Sequence, residues 1–107
     1  MVYKPTYAVD APKRAEIDAL PGFALLEFGV DWCPHCQAAQ AVIEEALQAQ
    51  PEMPHIKIED GAGRRLGRTF RVKLWPTLIL LRDGQELGRV VRPTARGDLG
   101  ELLSQVL

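Results

Sequence analysis

The chain of 107 residues has few cysteines and no long apolar segment. Its two cysteines are too few for a small scaffold held together by disulfides, so they favour a redox or metal-binding role. No apolar run approaches the roughly 20 residues of a membrane-spanning helix. A secretory signal peptide begins with a basic stretch that leads into an apolar one. The first ten residues do not show this pattern. We therefore expect a cytoplasmic protein that does not act at a membrane.

Internal repeats, linkers and low-complexity stretches are also missing from the sequence. Hydrophobic residues make up 47% and charged residues 25% of the chain, which is ordinary for a globular protein. A chain of this length can bury one hydrophobic core. These properties predict a single domain over residues 1–107, and we expect a monomer.

The formal net charge is only −1, but the charges are distributed unevenly. Residues 1–60 carry four bases and ten acids, whereas residues 61–97 carry nine bases and two acids. The spacing of Arg64, Arg68 and Arg71 predicts that they share one helix face. Nucleic acid is a poor candidate partner, because no aromatic stacking pattern accompanies the arginines. The basic segment is either an ordinary solvated surface or one that attracts an acidic partner.

Apolar runs and turn residues predict alternating helices and strands. The strands are expected at residues 23–30, 55–59, 78–82 and 86–91. The last two should form a hairpin around Asp83-Gly84. The helices are expected at about residues 10–20, 33–49, 62–70 and 94–107. Their inward positions are predicted to be Ala38, Val42, Ala46 and Leu47 in the second helix and Leu99, Leu102, Leu103 and Val106 in the last. This order predicts an α/β fold.

The two cysteines lie in the segment Trp32-Cys33-Pro34-His35-Cys36, directly after an apolar strand. Proline suits the first turn of a helix, so Cys33 is predicted at a helix N-terminus. Unpaired backbone N–H groups and the helix dipole favour a thiolate there, and the thiolate is the nucleophile of disulfide exchange. Two thiols at this spacing can close into a disulfide and reopen. The pattern therefore predicts a dithiol/disulfide oxidoreductase.

Two other classes of function compete with this prediction. A metal-binding module could use Cys33, His35 and Cys36 as ligands for zinc or copper. A closed structural zinc site needs four protein ligands, however, and no motif links His55 to this segment. A docking module without catalysis would need neither cysteine. We therefore expect no metal ion and no bound cofactor.

Three local features resemble the thioredoxin family over residues from about Ala8 to the end of the chain. They are the Cys33–Cys36 segment after an apolar strand, Pro76-Thr77 before another strand, and the hairpin turn at Asp83-Gly84. The resemblance implies a thioredoxin fold, with a central mixed β-sheet flanked by helices and with Cys33 and Pro76 meeting at one rim. It also implies disulfide exchange with protein substrates, and a partner reductase if the protein works as a reductant.

The resemblance implies specific roles in the reaction. Cys33 would be the exposed attacking thiol and Cys36 the buried resolving thiol. Glu27 matches a buried aspartate of the family and would accept the proton of Cys36, directly or through a water. Burial is expected to raise the pKa of Glu27. The alternative is that Glu27 escapes to solvent or pairs with Lys57.

Further residues are expected to contact the substrate. In the family pattern Pro76 is a cis proline, which exposes the backbone of the preceding residue for strand-like pairing with a peptide. That residue is Trp75, where the family usually has a smaller aliphatic side chain. Trp32 and Pro34 would complete the surface around the cysteines. Arg92 replaces a family glycine and would overhang the groove, either selecting acidic partners or excluding the usual ones.

The direction of the reaction is left open by conflicting signals. The dipeptide Pro34-His35 matches that of DsbA-type disulfide oxidases. A histidine there can stabilise the Cys33 thiolate and make the disulfide more oxidising. The short length and missing signal peptide favour a reductase, because DsbA-type enzymes are exported and contain an inserted helical domain. With the family's tryptophan replaced by Gly29 and its helix-kinking proline by Gln40, we predict a specialised thioredoxin-like reductase. A DsbA-like oxidase or isomerase is the alternative.

Overall fold

A computed structural model describes residues 3–106 as one mixed β-sheet with helices on both faces. The strands are β1 (Phe23–Gly29), β2 (His55–Glu59), β3 (Thr77–Arg82) and β4 (Gln85–Val91). The helices are α1 (Arg14–Asp18), α2 (Pro34–Gln48), α3 (Arg65–Thr69) and α4 (Arg96–Leu103). The sheet order is β2-β1-β3-β4, with β1 parallel to β2 and β3 antiparallel to β1 and β4. The predicted α/β fold is confirmed. No helix within residues 3–106 is long and apolar enough to cross a membrane.

The four strands lie within one residue of their predicted bounds, and the hairpin between β3 and β4 is confirmed. Its turn places Asp83 at φ 50° and Gly84 at φ 80°, the positive values that a tight two-residue hairpin requires. A Cβ at Gly84 would lie 2.0 Å from the carbonyl oxygen of Asp18. Glycine is therefore needed at this position both for its conformation and for its small size.

The short helices differ from the prediction. Helix α1 begins after Lys13 and not near residue 10, and the Glu16 carboxylate accepts a hydrogen bond from the Lys13 N–H at 2.9 Å. Helix α3 begins only after Gly61 and Gly63, both of which have positive φ. Arg71 lies beyond α3 at φ 59°. The prediction that Arg64, Arg68 and Arg71 share one helix face was therefore wrong.

The buried side of α2 is rotated from the predicted one. Its buried residues are Cys36, Ala39, Ile43 and Leu47, so Leu47 is confirmed. Ala38 is exposed, and Val42 and Ala46 are only partly buried. The buried set continues the direction of the Cys36 side chain at helical spacing. In α4, Leu99, Leu102 and Leu103 are buried as predicted, and Val106 packs against the same core from beyond the helix.

Side chains alternate between the two faces of β1. Leu25 faces a core that includes Ile43 and Leu99, from the helices α2 and α4. Leu26 and Phe28 face a second core that includes α1 and α3 residues. Glu27 shares the face of Leu25 by this alternation. It therefore points toward α2, the helix that carries the cysteines.

The segment before α1 lies alongside the edge strand β2. Ala8 forms a parallel bridge with Ile58. The Ala8 N–H donates to the Lys57 carbonyl, and the Glu59 N–H donates to the Ala8 carbonyl, both at 2.9 Å. This pairing was not predicted. It brings the N-terminal segment against the side chains of β1 and β2 near the cysteines.

Candidate active site

The start of α2 holds the two thiols in different environments. Cys33 is the N-cap residue, Pro34 begins the helix, and the Cys36 N–H donates to the Cys33 sulfur at 3.4 Å. Both cysteines are free thiols. Cys33 is 6% exposed and Cys36 is 1% exposed. Cys33 is thus less exposed than the sequence led us to expect, because it lies in a cluster against which Trp75 packs.

The two thiols also differ in acidity. Burial opposes ionisation of Cys33, but hydrogen bonds from the Cys36 thiol and from the Cys36 and His35 backbone, together with the charge of Arg92, hold the pKa of Cys33 below its ordinary value. Burial raises the pKa of Cys36 to about 11, and the neighbouring Cys33 contributes in the same direction. The arrangement therefore makes Cys33 the more readily ionised of the two thiols.

Glu27 is fully buried and accepts several hydrogen bonds. His55 Nε2 lies 2.9 Å from Glu27 Oε1, Gln40 Nε2 donates to Oε2 at 3.0 Å, and the Tyr7 hydroxyl also donates to Oε2. Burial alone raises the pKa of this carboxyl, but these hydrogen bonds and the charge of Lys57 outweigh it and lower the pKa. The expectation of a raised pKa was therefore wrong, because it counted burial without the donors.

Lys57 faces the same site without touching the carboxylate. It is paired in register with Glu27 across β1 and β2. Its Nζ donates to Gln40 Oε1 at 2.6 Å and to the carbonyls of Lys4 and Pro5 at 3.1 and 2.9 Å. Gln40 thus links the lysine to the carboxylate. Glu27 does not escape to solvent, and the alternative of a direct Lys57 pair is replaced by this bridged arrangement.

Sequence reasoning missed His55 and Tyr7 as neighbours of Glu27. His55 is buried, its Nδ1 accepts the Lys4 N–H at 2.9 Å, and its ring stacks on Tyr3 at 5.6 Å between centroids. A histidine two residues before Lys57 in a predicted strand was a usable signal, since both must share one face. Tyr7 gave no signal, because its position depends on the unpredicted bridge of the N-terminal segment to β2.

Two tryptophans flank the cysteines. Trp32 is 72% exposed, and its ring meets that of Trp75 edge-on with centroids 6.0 Å apart. The Trp75 indole N–H donates to Asp60 Oδ2 at 2.8 Å. The peptide bond between Trp75 and Pro76 is cis, as the family pattern predicted. Trp32, Trp75 and Cys33 therefore lie at one rim of the fold.

Arg92 lies against the backbone of the same rim. The Arg92 side-chain Nε donates to the Trp75 carbonyl at 2.8 Å, and the Arg92 backbone N–H donates to the Pro76 carbonyl at 2.9 Å. The residue adopts φ 53°, a left-handed conformation that favours glycine. The side chain occupies a lone pair of the Trp75 carbonyl, at the residue before the cis proline.

His35 and Pro34 are both exposed on the first turn of α2. The backbone N–H of His35 contributes to lowering the pKa of Cys33. Within the described residues, no hydrogen bond joins the His35 imidazole to that sulfur. Among the described residues, the influence of His35 on the Cys33 thiol therefore comes from its main chain.

The residues considered for a metal site do not come together. Among residues 3–106 there is no group of three or more His, Cys, Asp and Glu side chains that could hold a metal ion. His55 uses its two ring nitrogens for Glu27 and Lys4. It is therefore not placed to complete a site with Cys33, His35 and Cys36.

A basic cleft of about 490 Å³ lies beside Trp75. Its charged and aromatic lining residues are Asp60, Arg64, Arg68, Arg71, Lys73 and Trp75. Arg64 is paired with Glu59, and Asp60 is bonded to the Trp75 indole. The arginines that do not share a helix face nevertheless meet at this cleft.

A thioredoxin family model matches residues 8–105 of the chain. The chain belongs to the thioredoxin family. The thioredoxin of Chlamydia muridarum is 32% identical over 84 residues, which cover 78% of this chain and 82% of that relative. The structure of thioredoxin 2 from Pseudomonas aeruginosa PAO1 in its reduced form is 54% identical, with a TM-score of 0.86, and the match covers 95% of this chain and 94% of that one. Protein disulfide-isomerase A3 of Gallus gallus is 32% identical over 98 residues, only 19% of its length.

Membership of the thioredoxin family identifies the general activity of the protein. The protein is a thiol–disulfide oxidoreductase with a Cys-x-x-Cys pair, and the predicted activity is confirmed. Thioredoxins exchange disulfides with protein substrates and reductase partners. The metal-binding and docking alternatives are not needed to explain the two cysteines.

Proposed function

We propose that this thioredoxin is a specialised reductase of protein disulfides, in which Cys33 attacks and Cys36 resolves. The observation that carries the proposal is the placement of the Cys33 sulfur as the N-cap of α2, with the Cys36 thiol buried behind it. The Cys33 thiolate attacks one sulfur of the partner's disulfide and forms a mixed disulfide. Cys36 then attacks Cys33, the partner leaves as a dithiol, and this protein is left oxidised.

Glu27 acts in the second step as the acceptor of the Cys36 proton. Its carboxylate is buried on the sheet face that packs against α2. The donors around it keep it ionised at neutral pH, so it is available to receive a proton. The approach of a partner excludes water from this face and makes an internal acceptor more useful.

Substrate binding is assigned to Trp32, Pro34, Trp75, Pro76 and Arg92. Trp32 and Pro34 present exposed apolar surface beside Cys33. Aromatic side chains of this kind are common anchors at protein interfaces. Arg92 and the neighbouring basic cleft add positive charge, so the preferred partner has acidic residues next to its disulfide.

The trapping of substrates tests these assignments. Cys36→Ser leaves Cys33 unable to be resolved, so we expect mixed disulfides with acidic proteins to accumulate and to disappear in dithiothreitol. The matched variant Cys33→Ser should trap none. If Cys33→Ser traps and Cys36→Ser does not, the two roles are reversed.

A DsbA-like oxidase is a second candidate, favoured by the Pro34-His35 dipeptide and by the donors on the Cys33 sulfur. Stabilising the thiolate stabilises the reduced form and makes the disulfide a stronger oxidant. Equilibration against glutathione buffers distinguishes the candidates. A potential near the roughly −270 mV of thioredoxin supports the reductase, and one near the roughly −120 mV of DsbA supports the oxidase.

The proposal includes a cytoplasmic location, a monomeric single domain and a partner reductase that returns electrons to the Cys33–Cys36 disulfide. The chain would then need no bound cofactor of its own. Turnover of a disulfide substrate should require the reductase and stop when both cysteines are alkylated. Sedimentation of the purified protein checks the monomer.

A further inference from the structure

The Tyr7 hydroxyl occupies the space between the buried carboxylate and the resolving thiol. It donates a hydrogen bond to Glu27 Oε2, and Tyr7 belongs to the same buried cluster as Cys33 and Cys36. Because the donor proton is directed at the carboxylate, the hydroxyl oxygen has lone pairs left for another donor. Once Cys33 is bonded to a partner's sulfur, it no longer draws the Cys36 S–H, and the Cys36 thiol can then act as such a donor.

Gly29 makes room for this arrangement. A Cβ at Gly29 would lie 2.6 Å from the Cys36 sulfur and 2.6 Å from the Tyr7 hydroxyl oxygen. Both atoms therefore converge on the space that any other side chain at position 29 would fill. A tryptophan, which the family commonly has at this position, would exclude the tyrosine hydroxyl altogether.

The partners of Glu27 prepare it to take a proton from Tyr7. The Nδ1 atom of His55 accepts the Lys4 N–H, so in neutral His55 the ring proton is on Nε2 and is donated to Glu27. Gln40 donates its amide to the other carboxylate oxygen, which also accepts from Tyr7. The carboxylate is thus held in place and charged, with the Tyr7 O–H already aligned.

We propose that the Tyr7 hydroxyl relays the Cys36 proton to Glu27 when Cys36 attacks the mixed disulfide. This proposal rests on the proposed roles of Cys33, Cys36 and Glu27. The Cys36 proton moves to the Tyr7 oxygen as the Tyr7 proton moves to the carboxylate. The Cys36 sulfur forms a bond to the Cys33 sulfur, and the bond between Cys33 and the partner breaks. The partner sulfur leaves with the electron pair, and Glu27 later returns its proton to solvent.

The relay explains how a weak base can serve in this step. Three hydrogen-bond donors lower the pKa of Glu27, so its protonated form is unfavourable at neutral pH. Transfer therefore accompanies the formation of the new disulfide instead of preceding it.

Other charged or titratable groups around the site are Asp31 and Cys33 at the end of β1 and the start of α2, Lys57 and His55 on β2, and Tyr3 and Lys4 in the N-terminal segment.

The two phases of the reaction with an aromatic disulfide reagent test the relay. With 5,5′-dithiobis(2-nitrobenzoate), attack by Cys33 releases the first thionitrobenzoate, and attack by Cys36 on the mixed disulfide releases the second. We expect Tyr7→Phe to slow the second phase about tenfold or more at pH 7 and to leave the first within about twofold. Glu101→Gln, at an exposed position of α4, should change neither phase. Thermal unfolding of each variant verifies that the fold is kept.

The pH profile separates a relay from a structural role. The deficit of Tyr7→Phe should shrink as the pH rises into the alkaline range, because Cys36 then ionises without help from the relay. A deficit of equal size at every pH would overturn the relay, because a distorted site is slow regardless of protonation.

A double-mutant cycle with Glu27→Gln distinguishes failure of the relay from failure of the proposed function. If Tyr7 and Glu27 act in one path, the double variant should be little slower than either single variant. A slow Glu27→Gln with a normal Tyr7→Phe overturns the relay but keeps the role of Glu27. Normal second phases in both overturn the two roles together, and the absence of two phases in the parent protein overturns the assignment of the cysteines.

Discussion

The Trp75 carbonyl accepts a hydrogen bond from Arg92 Nε at 2.8 Å. This carbonyl belongs to the residue whose backbone was expected to pair with a substrate peptide. A peptide that binds there must share the carbonyl with the guanidinium or displace it. An acidic side chain on the peptide would offer the guanidinium a new partner, and we therefore expect acidic substrates to be preferred over neutral ones.

Arg92→Gly should remove this preference. We expect kcat/KM for a disulfide peptide with acidic flanks to fall several-fold and to lose most of its dependence on salt, because the charge at the rim of the site is gone. A neutral peptide should be reduced as well as before, or better. The ratio of kcat/KM for the acidic peptide to that for the neutral peptide is compared at one pH. A change in the Cys33 pKa affects both values equally and cancels in this ratio. Arg82→Gln, with the same loss of charge at the far end of β3, should leave the ratio unchanged; an equal change in both variants contradicts the role of Arg92.

His35→Pro should make the protein more reducing. Proline has no backbone N–H, so the variant removes a donor to the Cys33 sulfur and should raise the pKa of Cys33. A tenfold shift in the equilibrium with glutathione corresponds to about 30 mV, and we expect a change of that order. His35→Gln keeps the backbone N–H and should retain most of the parent potential. If the glutamine variant shifts as far as the proline variant, the imidazole does the tuning instead.

Glu27→Gln should flatten the loss of stability in acid. The pKa of Glu27 is lower in the folded protein than its ordinary value. Its contribution is therefore present above the pKa of the unfolded chain and is lost as the pH falls toward the folded pKa. Urea unfolding between pH 3 and pH 7 measures this, with the exposed Glu101→Gln as the control. If the free energy of unfolding falls with decreasing pH by the same amount in the parent and in Glu27→Gln, the lowered pKa is contradicted.

Gly29→Ala should destabilise the protein. The new methyl group would lie 2.6 Å from both the Cys36 sulfur and the Tyr7 hydroxyl oxygen, and overpacking of this kind costs about 1–3 kcal/mol. Gly97→Ala is a matched control in α4, where nothing lies within 4 Å of the new Cβ. It should stabilise the protein by about 0.5–1 kcal/mol. Equal effects of the two substitutions on chemical denaturation would show that the space beside Gly29 is not tightly filled.

The sequence was sufficient wherever structure follows from local patterns. Continuous apolar runs predicted β1 and β3, alternation predicted β2, and the Asp83-Gly84 turn predicted β4. The Cys-x-x-Cys segment predicted the start of α2. The buried face of α2 was harder to predict. The faces that contain Ala38 and Ala39 are both apolar in sequence, and they differ by a rotation of the helix through one residue. The short helix α3 was overestimated, since its flanking glycines adopt turn conformations that no pattern of hydrophobicity reveals.

The surroundings of Glu27 could not be predicted in the same way. His55 and Gln40 reach it from elements far apart in sequence, and Tyr7 reaches it from an irregular segment. A carboxylate in an apolar strand indicates that partners exist, because an unpaired buried charge is costly. It does not identify them. The direction of the pKa shift depends on these partners, which is why reasoning from burial alone gave the wrong sign.

The bridge between Ala8 and Ile58 links the chemistry of the cysteines to an irregular part of the chain. Residues 3–8 supply donors, acceptors and aromatic rings around the carboxylate, yet they form no helix and only one isolated bridge. Segments outside the helices and strands commonly open locally at lower free energy than a core strand does. Each such opening admits water to Glu27 and parts it from Tyr7. With Tyr7 in its proposed role, we expect the rate of disulfide exchange to depend on how firmly the N-terminal segment is held, and hydrogen exchange at the Ala8 amide measures how often that segment opens.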